Sequence, residues 1–254
     1  PETKGAYAFV LDLNDKGRVF LTSVVRTFAQ KNKQPQYPQF CMDIHSSDAL
    51  TRLGVSPNRI GVSYHQTTSG DFEDWYRGTT ARLKEYQKAG LPVTVEIGGG
   101  DWFSEVQPLG RPRPWLDEKG QMTDSMFDLV WLPAYDPDFK ILVKRLISDF
   151  GWPKGPINGI KLWNEPWEGV SISAWCSDML RYREIFRVLS DATREACAEG
   201  NLDVLVGGCD SASNTFDKFF SDGSDTWLKD LDFCSIHYQG MFPPSTFKAW
   251  KNRQ

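Results

Sequence analysis

Apolar, strand-like runs alternate with helix-like stretches along most of this chain. The first run covers 39–44, followed by a short helix after Ser46-Ser47 that stops at Gly54. The second covers 59–65. Its helix, about 72–89, places Trp75, Thr79, Leu83 and Tyr86 on one face and ends at Gly90. A third run, 92–97, leads into Gly98-Gly99-Gly100 and then a long connection to Tyr135. The next helix is strongly signalled. Asp136 reads as its N-cap, Pro137 as its first residue, and Phe139, Leu142, Val143, Leu146 and Phe150 form an apolar stripe closed by Gly151. The fourth run, 159–163, opens directly into Asn164-Glu165-Pro166. A helix over about 174–198 follows, with Trp175, Met179, Tyr182, Phe186 and Leu189 at helical spacing. A fifth run, 203–206, ends at Gly207-Gly208, and a sixth, 232–236, ends at His237-Tyr238.

Strands separated by helices predict an α/β fold with parallel pairing and right-handed crossovers. A doubly wound sheet and a closed barrel both satisfy the pattern. No G-x-G-x-x-G or P-loop motif follows the first run, which disfavours a nucleotide fold. The first 38 residues read differently. Residues 6–13 form a strand, Asn14-Asp15-Lys16-Gly17 a turn, and 18–28 a return strand. The expected division is an N-terminal β arm or part of an accessory β domain over 1–38, a Pro- and Gln-rich linker at 34–39, and a β/α region over 39–254.

Composition narrows the function classes. At 254 residues, 40 % hydrophobic and 24 % charged, the chain has the makeup of an ordinary globular domain. A net charge of −4 supplies no basic face, so neither nucleic acid nor an anionic membrane is an expected partner. No apolar run approaches the roughly 18–20 residues of a membrane span. No signal-peptide pattern is visible, yet the chain begins at Pro1 and not Met, so residues are expected upstream and the compartment stays open. The five cysteines, Cys41, Cys176, Cys197, Cys209 and Cys234, form no C-x-x-C or zinc spacing. Cys41, Cys209 and Cys234 read as small buried hydrophobes. No metal or cofactor is expected, and the oligomeric state is not readable.

The candidate chemistry sits at strand ends. Asp43 and His45 follow the first run, Tyr64 and His65 the second, Asp101 the third, Asn164 and Glu165 the fourth, Asp210 the fifth, and His237 and Tyr238 the sixth. In a parallel barrel the carboxyl ends of strands carry the active site. Glu96 lies inside the third run, buried or paired. Lys161 shares strand parity with Glu165. Glu168 reads as a loop residue.

Lys161-Leu162-Trp163-Asn164-Glu165-Pro166 at the end of a fourth strand resembles the signature of clan A glycoside hydrolases, retaining enzymes built on a (β/α)8 barrel. The resemblance covers about 39–254, and its sharp motif is six residues long. It implies that Glu165 is the general acid/base and that Asn164 binds a sugar 2-hydroxyl. It also implies a nucleophilic Glu at the end of a seventh strand. No such strand follows Tyr238, so the expected (β/α)8 TIM barrel is C-terminally incomplete here, with its nucleophile beyond residue 254. His237 and Tyr238 resemble residues that flank the nucleophile in that clan.

Physical chemistry agrees with this reading. Glycoside cleavage needs an acid to protonate the departing oxygen and a carboxylate about 5–5.5 Å away to attack the anomeric carbon. Trp163 and Trp167 flank Glu165 and offer apolar surroundings that keep an acid protonated. Asp101, Trp102 and His65 are further candidates for sugar contacts. The 98–135 connection carries Trp102, Phe103, Trp115, Trp131 and Tyr135, and ring faces suit the C–H faces of sugars. The expected partner is an oligo- or polysaccharide, and the implied activity favours a secreted or periplasmic location. Two rivals stand beside this reading. One is a carbohydrate-binding barrel that has lost the chemistry. The other is a metal-dependent hydrolase, disfavoured by only three histidines and no H-x-H.

Overall fold

Turn chemistry shapes the N-terminal hairpin as its sequence predicts. The computed structural model describes residues 5–26, 37–100, 133–166, 179–212, 219 and 228–237. In it β1 (Gly5–Asp12) pairs antiparallel with β2 (Arg18–Arg26) across a 3-10 turn at Asn14–Lys16. Asp12 fastens the turn, accepting from the Asn14 amide and from Arg18 Nε, each at 3.0 Å. Gly17 closes it at φ 90°, a conformation that a Cβ would oppose.

The chain divides into two compact units, Pro1–Asn58 with Lys88–Leu91, and Arg59–Gln87 with Pro92–Gln254. The first holds the hairpin, β3 (Tyr37–Met42), α1 (Ser47–Leu53) and β4 (Val55–Pro57). Ser46 caps α1 by accepting from the Ala49 amide at 3.2 Å, and Gly54 ends it. The expected first strand departs from prediction here. β3 lies in a two-stranded sheet of its own, parallel to β4, and the Asn58 amide donates to Met42 O at 3.0 Å. A helix of only two turns returns the chain beside β3, so the nearest strand partner is the short Val55-Ser56-Pro57 segment. Cys41 is exposed, contrary to its reading as a core residue.

The second unit contains β5 (Arg59–Tyr64), α2 (Phe72–Thr79), all but the last two residues of α3 (Ala81–Ala89), β6 (Val93–Gly100), α4 (Asp136–Phe150), β7 (Ile157–Leu162), α5 (Met179–Gly200), β8 (Leu205–Ala212) and β9 (Phe233–His237). Its five strands pair in the order β5-β6-β7-β8-β9, all parallel. The order never doubles back, whereas a doubly wound sheet reverses at a switch point. No helix among the described residues is long and apolar enough to cross a membrane.

Alternation along the strands separates the two faces. Ile60, Val62, Tyr64, Val93, Val95 and Ile97 are buried, while Gly61 and Ser63 between them are exposed. The helices bury matching stripes, with Phe139, Leu142, Val143, Leu146 and Ile147 on α4 and Tyr182, Ile185, Phe186 and Leu189 on α5. Each such Leu, Ile or Phe contributes about 1.5–3 kcal/mol by leaving water. Tyr182 ties α5 to the sheet, donating to Leu162 O and accepting from the Cys209 amide, both at 3.2 Å.

Two helix details differ from expectation. The 72–89 helix is divided at Thr80, whose hydroxyl and amide both donate to Tyr76 O, at 2.7 and 2.9 Å, a doubled contact of the kind that bends helices. The buried face of its first half is therefore Phe72 and Tyr76, with Trp75 and Thr79 only half-buried. Asp136 is the first residue of α4 and Tyr135 its cap. Asp138, the third residue of the helix, accepts from Tyr64 Oη at 2.6 Å and from the Thr67 amide at 3.0 Å.

β8 also runs farther than predicted, because Gly207-Gly208 does not end it. These glycines give room to large rings on opposite faces. A Cβ on Gly207 would lie 2.2 Å from the Phe233 ring, and one on Gly208 would lie 3.0 Å from Phe186. Gly207→Ala is expected to destabilise the fold by about 1–3 kcal/mol through overpacking. Urea unfolding checks this, and adding Phe233→Leu should restore most of the loss.

Candidate functional site

The face of the sheet opposite the helices carries charge where the other carries hydrocarbon. Gly61, Glu96, Lys161 and Gly207 lie at one level across β5, β6, β7 and β8. Below them Thr94 and Gly159 share a layer with the Phe233 ring, which comes within 3.4 Å of a Cβ built on Gly159. Above them a bulge in β8 alters the direction of its side chains. Gly208 pairs with Cys234 and Ser211 with Ile236, so Cys209 and Asp210 together oppose Ser235. Cys209 takes φ 56°, and the bulge turns Asp210 into the charged layer.

The layer is a connected network. Lys161 is 4 % exposed and Asp210 is fully buried, and the two form an ion pair. Lys161 Nζ also lies 3.0 Å from Glu96 Oε2 and donates to Ser235 Oγ at 3.3 Å. Arg59 reaches up from the start of β5. Its Nη1 lies 2.5 Å from Glu96 Oε2, donates to Asn164 Oδ1 at 2.8 Å, and is 3.6 Å from Asp210 Oδ2. His237 closes the network, with Nδ1 2.5 Å from Glu165 Oε1 and Nε2 against Asp210 Oδ1.

Burial and charge pull the titrations apart. Burial pushes the Glu96 carboxyl above its ordinary value, although Lys161 and Arg59 oppose it. Burial acts on Asp210 in the same direction, but the His237 hydrogen bond and the Lys161 ammonium prevail and hold it at about 2. His237 is raised, chiefly by its hydrogen bond to Asp210 and further by Glu165, against the effect of burial. The network thus sets the side chains of Arg59 and Lys161 against those of Glu96 and Asp210, with the His237 imidazole between Asp210 and Glu165.

Backbone conformation marks the same spot. Trp163 and Glu165 take φ 59° and 47°, in the left-handed region that non-glycine residues avoid. The ring of Pro166 normally forces the residue before it to be extended. Each such residue costs on the order of 1–3 kcal/mol and persists only where its surroundings hold it. Trp163 is held by its amide, which donates to Ile97 O at 2.8 Å, and by packing on Gly98, where a Cβ would lie 3.4 Å from Trp163 Cα. Glu165 is 9 % exposed.

Of the strand-end residues singled out from sequence, Asn164, Glu165, Asp210 and His237 come together here. His65 lies in a different cluster, with Nε2 2.9 Å from Asp71 and its ring stacked on Trp75 at 4.9 Å between centroids. Tyr64 is buried and holds the entrance of α4 through Asp138. Asp101, Trp102, Trp167 and Tyr238 lie outside the described residues. Arg59 was not anticipated, and Glu96 and Lys161 had no assigned partners. The signal available for them was parity, since a charge at every second position of an otherwise apolar strand faces away from the helices. Cys209 is buried as read, whereas Cys234 is exposed.

Comparison with protein-family models and with curated proteins gives no match. Among solved structures, the chain is similar to a GH39 β-xylosidase from Caulobacter crescentus at 14 % identity and a TM-score of 0.36. The match covers 77 % of this chain and 49 % of that one. At that score the likeness carries no inference about substrate or mechanism.

Proposed function

We propose that the protein is a retaining glycoside hydrolase on a (β/α)8 barrel, with β5 to β9 as strands two to six. It cleaves O-glycosidic bonds in an oligo- or polysaccharide. The observation that carries this reading is the placement of Glu165. Its carboxyl is nearly buried at the carboxyl end of a parallel strand, on the polar face of the sheet, and in contact with an imidazole. Asn164 beside it has its amide oxygen held by Arg59, which leaves the amide N–H groups to meet a sugar hydroxyl. Glu165 protonates the departing oxygen in the first step and takes a proton from water in the second. The attacking carboxylate is the Glu that the clan resemblance assigns to a seventh strand.

The test is hydrolysis of aryl glycosides and polysaccharides by the protein in its full length, with proton NMR of the first-formed anomer. Retention of configuration is the expected result. Inversion rules out the two-step mechanism. Sugar binding without hydrolysis replaces the enzyme with a binding barrel.

A further inference from the structure

Asp210 has no direct contact with Glu165 among the described interactions, yet it governs the group that does. It is fully buried and aimed by the β8 bulge, with Lys161 on one oxygen and His237 Nε2 on the other. Between two ionised carboxylates an imidazole can face both as a donor only as the imidazolium, with Nε2 set against Asp210 Oδ1 and Nδ1–H donating to Glu165 Oε1. The neutral ring with its proton on Nε2 would turn a lone pair of Nδ1 toward Oε1, which repels a carboxylate oxygen and draws the proton of a protonated Glu165 onto Oε1 instead of Oε2.

We propose that Asp210 is a positioning residue for Glu165, acting through His237, which it keeps as a two-sided donor so that the transferable proton of Glu165 is confined to Oε2. This rests on the reading of Glu165 as the acid/base. In the first step the Oε2–H bond breaks and its proton passes to the glycosidic oxygen. The carboxylate left behind keeps the Nδ1–H bond on Oε1. In the second step a water O–H bond breaks and that proton returns to Oε2. His237 neither gains nor loses a proton in either step, and Asp210 stays ionised throughout. The charged groups facing the imidazole are Asp210 from β8 and Lys161 and Glu165 from β7 and its end, with Glu96 of β6 and Arg59 of β5 one contact farther away.

The test is a pH titration of the imidazole nitrogens by NMR in protein labelled with 15N-histidine, with the His237 signals assigned by their absence from a His237→Gln variant. Both nitrogens of His237 are expected to stay protonated above the ordinary histidine midpoint near 6.5. Asp210→Asn should lower that midpoint. It should also lower kcat by about 10²-fold with KM little changed, the size of effect expected when a catalytic group loses its aim. A wild-type His237 that titrates at or below the ordinary midpoint overturns the proposal, and this measurement does not depend on Asp210→Asn folding. An unchanged midpoint in a folded Asp210→Asn variant overturns it equally. The titration needs no turnover, so a protein that hydrolyses no glycoside while His237 behaves as stated defeats the glycosidase reading, and the hydrogen-bond relay stands.

Discussion

Glu165→Gln is expected to lower kcat by about 10²–10⁴-fold on glycosides whose leaving group is an alkoxide, the usual contribution of a positioned general acid. The amide keeps the size of the side chain and still meets His237, but it has no proton to give. The loss should therefore depend on the substrate. A departing dinitrophenolate needs no protonation, so the first step on such a substrate should be nearly unaffected. Measuring kcat/KM across a series of aryl glycosides is the check. The slope of log kcat/KM against leaving-group pKa should steepen in the variant, with its thermal unfolding close to wild type. A loss of the same size for every leaving group would mean that Glu165 supports the site and does not serve as its acid.

Lys161→Met should be the most damaging single change to stability, by about 3–5 kcal/mol near neutral pH. It removes the ammonium from between Glu96 and Asp210 and leaves two carboxylates that burial already disfavours. The pH dependence has a definite sign. Glu96 is raised in the folded state, so its stability contribution is complete below its unfolded value and is lost as pH rises through the folded one. Without Lys161 the Glu96 carboxyl rises farther. The deficit of the variant should thus shrink on acidification toward pH 5, as Glu96 takes up its proton. Urea unfolding of both proteins at pH 7 and pH 5 measures this, and an equal deficit at the two values would mean that Glu96 is not coupled to Lys161.

Local chemistry was legible in the sequence, and register was not. The Asn14–Gly17 turn, the Ser46 cap, the start of α4 at Asp136-Pro137 and the stop of β7 at Asn164-Glu165 depend on residues within a few positions of each other. The pairing of β3 with β4 depends on how far a seven-residue helix carries the chain back, which side-chain pattern does not encode. The charged layer was hidden for a similar reason. Arg59 meets Glu96 and Asn164, and Lys161 meets Asp210, across separations of 37, 105 and 49 residues. Strand parity places these side chains on one face, but only the alignment of five strands decides that they meet. The β8 bulge adds a second obstacle, because Gly207-Gly208 reads as a stop in sequence, whereas in space it is the room that two aromatic rings require.

The network has a mechanical side. Among the described strands β5 and β9 bound the five-stranded sheet, each with a neighbour on one side only. Arg59 anchors Asn164 from the first of these borders, and His237 anchors Glu165 from the second. The geometry around Glu165 is therefore set by side chains that reach it from the two outermost of these five strands, and loosening of either would silence the site with the apolar centre of the domain still intact.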